Sequence, residues 1–403
     1  MNQWTPISSE ETQGNQPTRK SLTYWQDVWR RLRQNVMAMT GLVMILIISG
    51  LAIFGPMFSP YSYSEQNLQL ANIAPQIEIT KITDKDYVFV HNEYRLVSVT
   101  ADGKFIGAPE VVDENKINRY ITYNIDGKEV KFDYSLAMSN RKKGQKVTEE
   151  EENADMKTKY DIFVDGEKID KYDTKIVLNK TNIMGTDTLG RDVWTRVLYG
   201  ARISLTVGLV ASVVNLCVGV VYGGIAGYEG GKVDNIMMRI VDIISSVPLL
   251  LIVILLMVII EPGLKTIIIT IGMVYWVGMA RLVRGQVLSL KEQEFVLAAR
   301  ALGVTKSKII IKHLIPNAIG PIVVSMMMSI PSAIFTEAFL SFIGLGVSAP
   351  EASWGTLAND ALGGIRSYPY QLIIPSIAIA LTMFAFNFLG DGLRDALDPR
   401  LRK

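Results

Sequence analysis

The side chains that usually carry chemistry are scarce in this chain. Among 403 residues there is one cysteine, Cys217, and there are two histidines, His91 and His313. A lone cysteine excludes a disulfide within the chain, and inside an apolar run Cys217 is read as a small packing residue. Three such residues cannot build a Cys/His zinc site, so no metal is expected. No Gly-x4-Gly-Lys-Ser/Thr sequence is present, which excludes a nucleotide cradle of the P-loop kind. A formal charge of only +2 gives no basis for nucleic-acid binding. The chain is therefore expected to hold neither a metal nor a nucleotide cofactor of its own.

What it has is apolar length. Its mean hydropathy is +0.24, and 49% of its residues are hydrophobic. Charge is concentrated instead of spread. Residues 61–180 carry 22 acidic and 18 basic side chains, leaving 17 and 23 for the rest. Uncharged stretches long enough to span a bilayer occur at 36–58, 203–228, 243–260, 314–336 and 367–390. A shorter one, 266–280, extends through Arg281 and Arg284 if those side chains snorkel toward water. Six transmembrane helices are predicted, because continuous apolar runs are helical and not barrel-like. The run after Arg33 is too long for a signal-peptide core and is read as an uncleaved first span.

Short basic loops set the orientation. Arg30, Arg31 and Arg33 precede the first run, and Lys232 and Arg239 lie between the second and third. Arg281, Arg284, Arg300, Lys306, Lys308 and Lys312 follow the fourth, and Arg394, Arg400, Arg402 and Lys403 follow the sixth. Alternating spans put all four groups on one side, and such segments stay cytoplasmic. The predicted organisation is a cytoplasmic segment 1–35, a first span 36–60 and an extracytoplasmic insert 61–184. A core 185–395 follows with five spans and the loop 291–317, then a cytoplasmic tail 396–403. The location is a plasma or inner membrane, in contact with lipid.

Within the insert, alternation at Tyr87–Val90 and Tyr94–Val99 predicts strands. Asp102-Gly103, Asp126-Gly127 and Asp165-Gly166 are hairpin turn signals. Residues Arg141 to Lys159, with four successive glutamates from Glu149, read as a loop. The insert is either a contact surface for an external protein or a decoration without a role in transport.

The loop 291–317 is predicted as two short helices joined by a bend. Glu292–Leu302 is rich in helix formers, Gly303 stands where a left-handed residue ends a helix, and Thr305 is placed to cap the next. Pro316 breaks the pattern. Ala298, Ala299 and Ala301 offer a small-residue surface for close approach. Local chemistry leaves two readings open, a knob docking on another protein and an amphipathic helix lying on lipid.

Ala298-Ala299, Gly303 and His313-Leu314-Ile315-Pro316-Asn317 together resemble the EAA loop of ABC importer permeases. Leu297 stands where that motif has glutamate, His313 where it has isoleucine and Ile315 where it has leucine. The His-x-x-Pro-Asn ending is similar to the dipeptide, oligopeptide and nickel branch. So are Gly185-Thr186-Asp187-Thr188-Leu189-Gly190-Arg191-Asp192, Met238–Asp242, Glu337–Gly346, Trp354-Gly355 and Gly390–Arg400. The last of these, with a single span before the insert, resembles the second, C-type oligopeptide permease subunit. The resemblance covers residues 20–60 and 181–403. It implies an all-α type I permease bundle of six helices with an inserted β-rich domain. The implied partners are a second homologous permease, two ATPase subunits that bind ATP and magnesium, and an extracytoplasmic peptide-binding protein. The implied substrate is a peptide, oligopeptides being favoured over dipeptides or nickel. The loop becomes the coupling helix, carried by Ala298, Ala299, Arg300, Leu302 and Gly303. A secondary transporter and a membrane-anchored sensor are the competing classes; neither needs that loop, and no inverted repeat is visible.

Polar groups inside spans are costly and mark candidates for a pathway or gate: Asp242, Glu337 and Asn387. For Asp242 the competing role is an ion pair with a nearby arginine, and for Glu337 an interior hydrogen-bonded one. Asp391 is read as interfacial. Pro248, Pro331 and Pro375 interrupt apolar runs and predict kinks. The external segment Ala349–Tyr370 holds Trp354, Asn359, Asp360, Tyr368 and Tyr370, read either as cover for the mouth or as interfacial anchors.

Overall fold

The computed structural model describes residues 23–83, 85–135, 160–169, 174–347 and 349–398. The predicted loop 141–159 and most of the tail 396–403 lie outside these. Helix α1 (Tyr24–Gln34) was not foreseen. It buries Val28 and Leu32 against the last helix, while Asp27 holds Arg30 and Arg31 at 2.8 and 2.9 Å. Asn35 then caps α2 (Val36–Phe58), its side chain accepting from the Ala38 amide at 3.1 Å.

Among the described residues, ten strands make two five-stranded antiparallel sheets. One has the order β10 (Thr174–Leu178), β1 (Gln76–Lys81), β2 (Tyr87–His91), β3 (Arg95–Val99) and β4 (Phe105–Gly107). The other runs β5 (Glu110–Asn115), β6 (Tyr120–Ile125), β7 (Lys128–Asp133), β8 (Asp161–Val164) and β9 (Glu167–Lys168). Asp126-Gly127 and Asp165-Gly166 have both φ positive, as a two-residue hairpin demands. Val88 and Leu96 of the first sheet share a core with Ile121, Val130 and Phe132 of the second. Because β1 and β10 pair along their length, the region leaves and rejoins the helical bundle through adjacent strands.

Five helices among the described residues are long and apolar enough to cross a membrane: α2, α3 (Val193–Glu229), α6 (Leu264–Leu290), α9 (Ile319–Leu345) and α11 (Tyr370–Leu397). A sixth candidate is the pair α4 (Gly231–Ser246) and α5 (Leu249–Ile260), bent by 83°. The predicted run 243–260 is thus not one straight helix. Val247, preceding Pro248, is forced to an extended conformation at φ −87°, ψ 123°, and the ladder breaks there. Pro331 and Pro375, by contrast, lie within helices that continue through them.

Helix α3 begins ten residues before the uncharged stretch because its arginines are compensated. Pro56 lacks the N–H that would bond the Ala52 carbonyl one turn earlier. Arg202 donates to that oxygen at 2.6 Å and to the Ile53 carbonyl at 2.7 Å. On α6, Arg284 makes a two-pronged contact with Asp234 of α4 at 2.5 and 2.7 Å, and Arg281 meets Asp242 at 3.0 Å. Aspartates thus hold both arginines, Asp234 nearly buried beneath Arg284 and Asp242 exposed beside Arg281.

Candidate functional site

At the bundle end opposite the sheets, α7 (Glu294–Ala301) projects as a knob. Its end is set by backbone geometry: Gly303 has φ +72°, its N–H bonds the Arg300 carbonyl at 3.0 Å, and the Val304 N–H bonds Ala299 at 3.1 Å. This is the paired hydrogen-bond pattern of a glycine-terminated helix. Thr305 occupies the next cap position in backbone conformation, but its side chain makes no capping bond to α8 (Lys306–Ile309). Nor does Pro316 separate the knob from the following span. The chain passes through a wide helical turn at Ile310–Leu314 and reaches α9 with only a slight interruption at Ala318.

The knob has a rooted side and an open side. Val296, Ala299, Ile309 and Leu314 are buried with Met279, Val283 and Val287 of α6. Ala299 is 5% exposed, so its methyl is taken by the chain's own core and cannot offer close approach to a partner. Ala298, Arg300, Leu302 and Gly303 are exposed, Leu302 at 82%, beside Phe295 and Leu297. The Arg300 guanidinium lies 5.1 Å from the centre of the Tyr228 ring. Lys306 reaches both Glu229 oxygens at 2.9 Å, and that bond raises the lysine pKa. Lys291 donates to the Gly227 carbonyl at 3.1 Å. The knob is thereby fastened to the end of α3 by three contacts.

The three intramembrane candidates do not come together. Asp242 is exposed and paired with Arg281. Asn387 is half-buried on α11. Glu337 is completely buried between α3 and α9, accepting from Ser204 at 2.9 Å and Ser341 at 2.8 Å. Glu337 thus ties α9 to α3 through Ser204. Glu337→Ala is expected to strand both hydroxyls and open a void, lowering stability by about 2–4 kcal/mol. Thermal unfolding of the detergent-solubilised protein checks this, with Glu337→Gln, which keeps the volume and one acceptor oxygen, expected to recover most of the loss.

None of those three residues lines the cleft of about 730 Å³ between α3, α6, α9 and α11. Its walls are Asn215, Tyr275, Met279, Leu282, Pro321, Val324 and Met328, with Ser325, Ser329 and Ser332 along one side and Arg394 and Asp398 at its α11 edge.

At the sheet end, the Gly185–Asp192 segment is a hydrogen-bonded lock. Asp187 accepts from Arg191 and Arg196, each at 2.7 Å, and Asp360 of α10 (Trp354–Asp360) lies 3.4 Å from Arg196. The Tyr370 hydroxyl sits 2.9 Å from the Ile73 carbonyl and 2.7 Å from that of Thr186. Gln371 donates to Asn72 and Thr186 at 3.0 and 2.9 Å. Trp354 is 2% exposed and donates to the Val197 carbonyl, so it is a core residue and not an interfacial anchor.

Residues 219–403 match the binding-protein-dependent transport system inner membrane components, and residues 23–75 match the N-terminal transmembrane domain of oligopeptide transport permease C. Over 402 residues the chain is 39% identical to the oligopeptide transport system permease protein OppC of Bacillus subtilis (strain 168), covering 100% of this chain and 98% of that one. The chain belongs to the binding-protein-dependent transport permeases. The dipeptide transport system permease protein DppC of the same organism is 38% identical over 403 residues, covering 100% and 94% of the two chains. Escherichia coli (strain K12) OppC is 49% identical over 218 residues, or 54% of this chain and 72% of that one. The two full-length alignments take in the β-rich region, which the permease motifs leave out. Like these relatives, the chain is a transport permease subunit of an ABC importer and not an enzyme.

Several residues that matter in this permease escaped the sequence reading although their spacing was visible. Gly219, Gly223 and Gly227 recur every four residues on α3, where α6 comes closest. Ser325, Ser329 and Ser332 share one face of α9. Asn215 is a lone amide within an apolar run.

Proposed function

We propose that this chain is a C-type permease subunit importing peptides, oligopeptides above all, handed over by an extracytoplasmic binding protein. Identity of 39% and 38% along the whole chain to relatives named as oligopeptide and dipeptide permeases carries the peptide reading. On this proposal the path forms with a second, homologous permease, and two ATPase subunits supply the energy. The bent pair α4–α5 counts as the third of six spans. Both termini are cytoplasmic, the insert 61–184 faces outward, and the core 185–395 carries transport. The basic loops around α7 support that orientation.

The open side of the knob is the coupling surface. Ala298 gives close approach, Leu302 and its apolar neighbours supply contact area, Arg300 supplies charge, and Gly303 sets the angle. Ala299 contributes from beneath, by holding α7 to α6. When the ATPases close, the knob moves as a rigid element and α3, α6 and α9 move with it.

The test is uptake by the assembled complex in proteoliposomes, with di-, tetra- and hexapeptides competing against nickel. ATP-dependent uptake blocked best by the longer peptides is expected. Uptake without ATP, or of nickel alone, would remove the assignment.

A further inference from the structure

We propose that α1 is a seat for anionic phospholipid, with Trp25 and Trp29 in the headgroup layer and Arg33 holding the lipid phosphate. The position of the helix follows from the elements around it. α2 has 23 residues and is about 34 Å long, so crossing a hydrocarbon core of about 30 Å takes up nearly all of it. α1 therefore begins where the core ends. It does not run straight on into water, because Asn35, at φ −86° and ψ 104°, breaks the helix. Val28 and Leu32 are buried instead with Ala38 in the first turn of α2 and with Leu389, Ala396 and Leu397 at the end of α11.

Three stripes divide α1. Val28 and Leu32 form the buried one. Trp25, Trp29 and Arg33 form a second and Gln26, Arg30 and Gln34 a third, each spaced by four residues, and all six are exposed. Trp25 is 57% exposed and Trp29 42%. Indole rings, apolar but for one N–H, suit the level of lipid headgroups. The apolar surface continues along α2, whose first two residues, Val36 and Met37, are 77% and 58% exposed. The tryptophan stripe thus lies between a side fastened to the bundle and a polar side suited to water.

Charge selects the lipid. α1 carries three arginines, Arg30, Arg31 and Arg33, against one aspartate. Asp27 is committed to Arg30 and Arg31. Arg33 has no carboxylate partner among the described residues; its guanidinium lies 4.9 Å from the centre of the Trp29 ring. A guanidinium lying over an indole still presents its N–H edge, which matches a pair of phosphate oxygens. The surplus positive charge favours an anionic headgroup over a zwitterionic one. Because α1 packs on both α2 and α11, a lipid held there braces the first and last spans against each other. The proposal concerns the membrane and stands whatever the substrate.

The test uses the complete transporter in nanodiscs of phosphatidylcholine with and without phosphatidylglycerol. The emission lost in the double variant Trp25→Phe, Trp29→Phe is expected to be quenched more strongly by brominated-acyl phosphatidylcholine than by aqueous iodide. Arg33→Gln is expected to lower the phosphatidylglycerol retained on extraction, read by native mass spectrometry, about fivefold, with phosphatidylcholine unchanged and Arg33→Lys restoring most of the loss. Excess inorganic phosphate is expected to leave the lipid in place. Emission quenched mainly by iodide would put the stripe in water, and emission quenched by neither would put it under a partner subunit; either result overturns the seat. So does phosphatidylglycerol retention in Arg33→Gln equal to that of the wild type, or displacement of the lipid by inorganic phosphate.

Discussion

A complex carrying Gly303→Pro is expected to hydrolyse ATP and import almost nothing. At φ +72° Gly303 occupies a conformation closed to proline, whose ring locks φ near −65°. The substitution also removes the N–H that bonds Arg300, so α7 loses its terminating turn and points elsewhere relative to α8. The effect is conformational and not steric, because a Cβ at Gly303 would meet nothing within 4 Å. Gly303→Ala is the control. It pays only the left-handed penalty, about 1–2 kcal/mol, and should retain much of the uptake. Membrane insertion is unaffected in both variants, since the change lies outside the spans. The ratio of peptide imported to ATP consumed is the measurement, and normal uptake by the proline variant would sink the coupling assignment.

Gly223→Leu is expected to be worse, leaving little folded protein to assay. Where α3 crosses α6 the backbones are in direct contact. A Cβ on Gly223 would run into the Ala280 carbonyl; one on Gly219 would lie 2.5 Å from the Met279 Cβ, and one on Gly227 2.9 Å from the Arg284 carbonyl. A rigid backbone oxygen cannot give way as a side-chain tip can, so the helices must separate. Overpacking of this kind costs about 1–3 kcal/mol or more, and helix association in lipid depends on such close packing. Separation would also pull on the Arg284–Asp234 pair and on the floor of the knob. Gly224, one residue on, is the internal control: its Cβ would meet only side-chain methyls, of Ile310 at 3.3 Å and Ile315 at 3.8 Å. Fluorescence size-exclusion profiles and melting curves of Gly223→Leu and Gly224→Ala should differ sharply. Similar profiles would mean the two helices are looser than this packing requires.

The sequence shows clearly where the chain is apolar and poorly what it does with its charges. Span α2 coincides with its uncharged run, because nothing charged needed accommodating. α3 and α6 outgrow theirs, since Arg196, Arg202 and Arg284 find partners on other elements that no local window contains. The bend at Gly303 and two of the hairpins were legible because glycine and aspartate-glycine pairs declare their backbone angles locally. The inward face of Ala299 was not, since an alanine pair on a helix carries no sign of which member the core will claim. Glu337 was visible as an intramembrane acid, but the serines that bury it come from α3 and from a turn further along its own chain.

The unbroken length of α3 has a mechanical consequence. At 37 residues it is about 55 Å long and contains no proline. One end is clamped by Asp187, Arg191, Arg196 and Asp360, and the other by the contacts at Gly227, Tyr228 and Glu229. Over that span a tilt of about 5° displaces the far tip by roughly 5 Å, close to one helical turn. The helix is a lever with a load at each end. A binding protein pressing on the sheets and an ATPase pulling on the knob would be working the same beam.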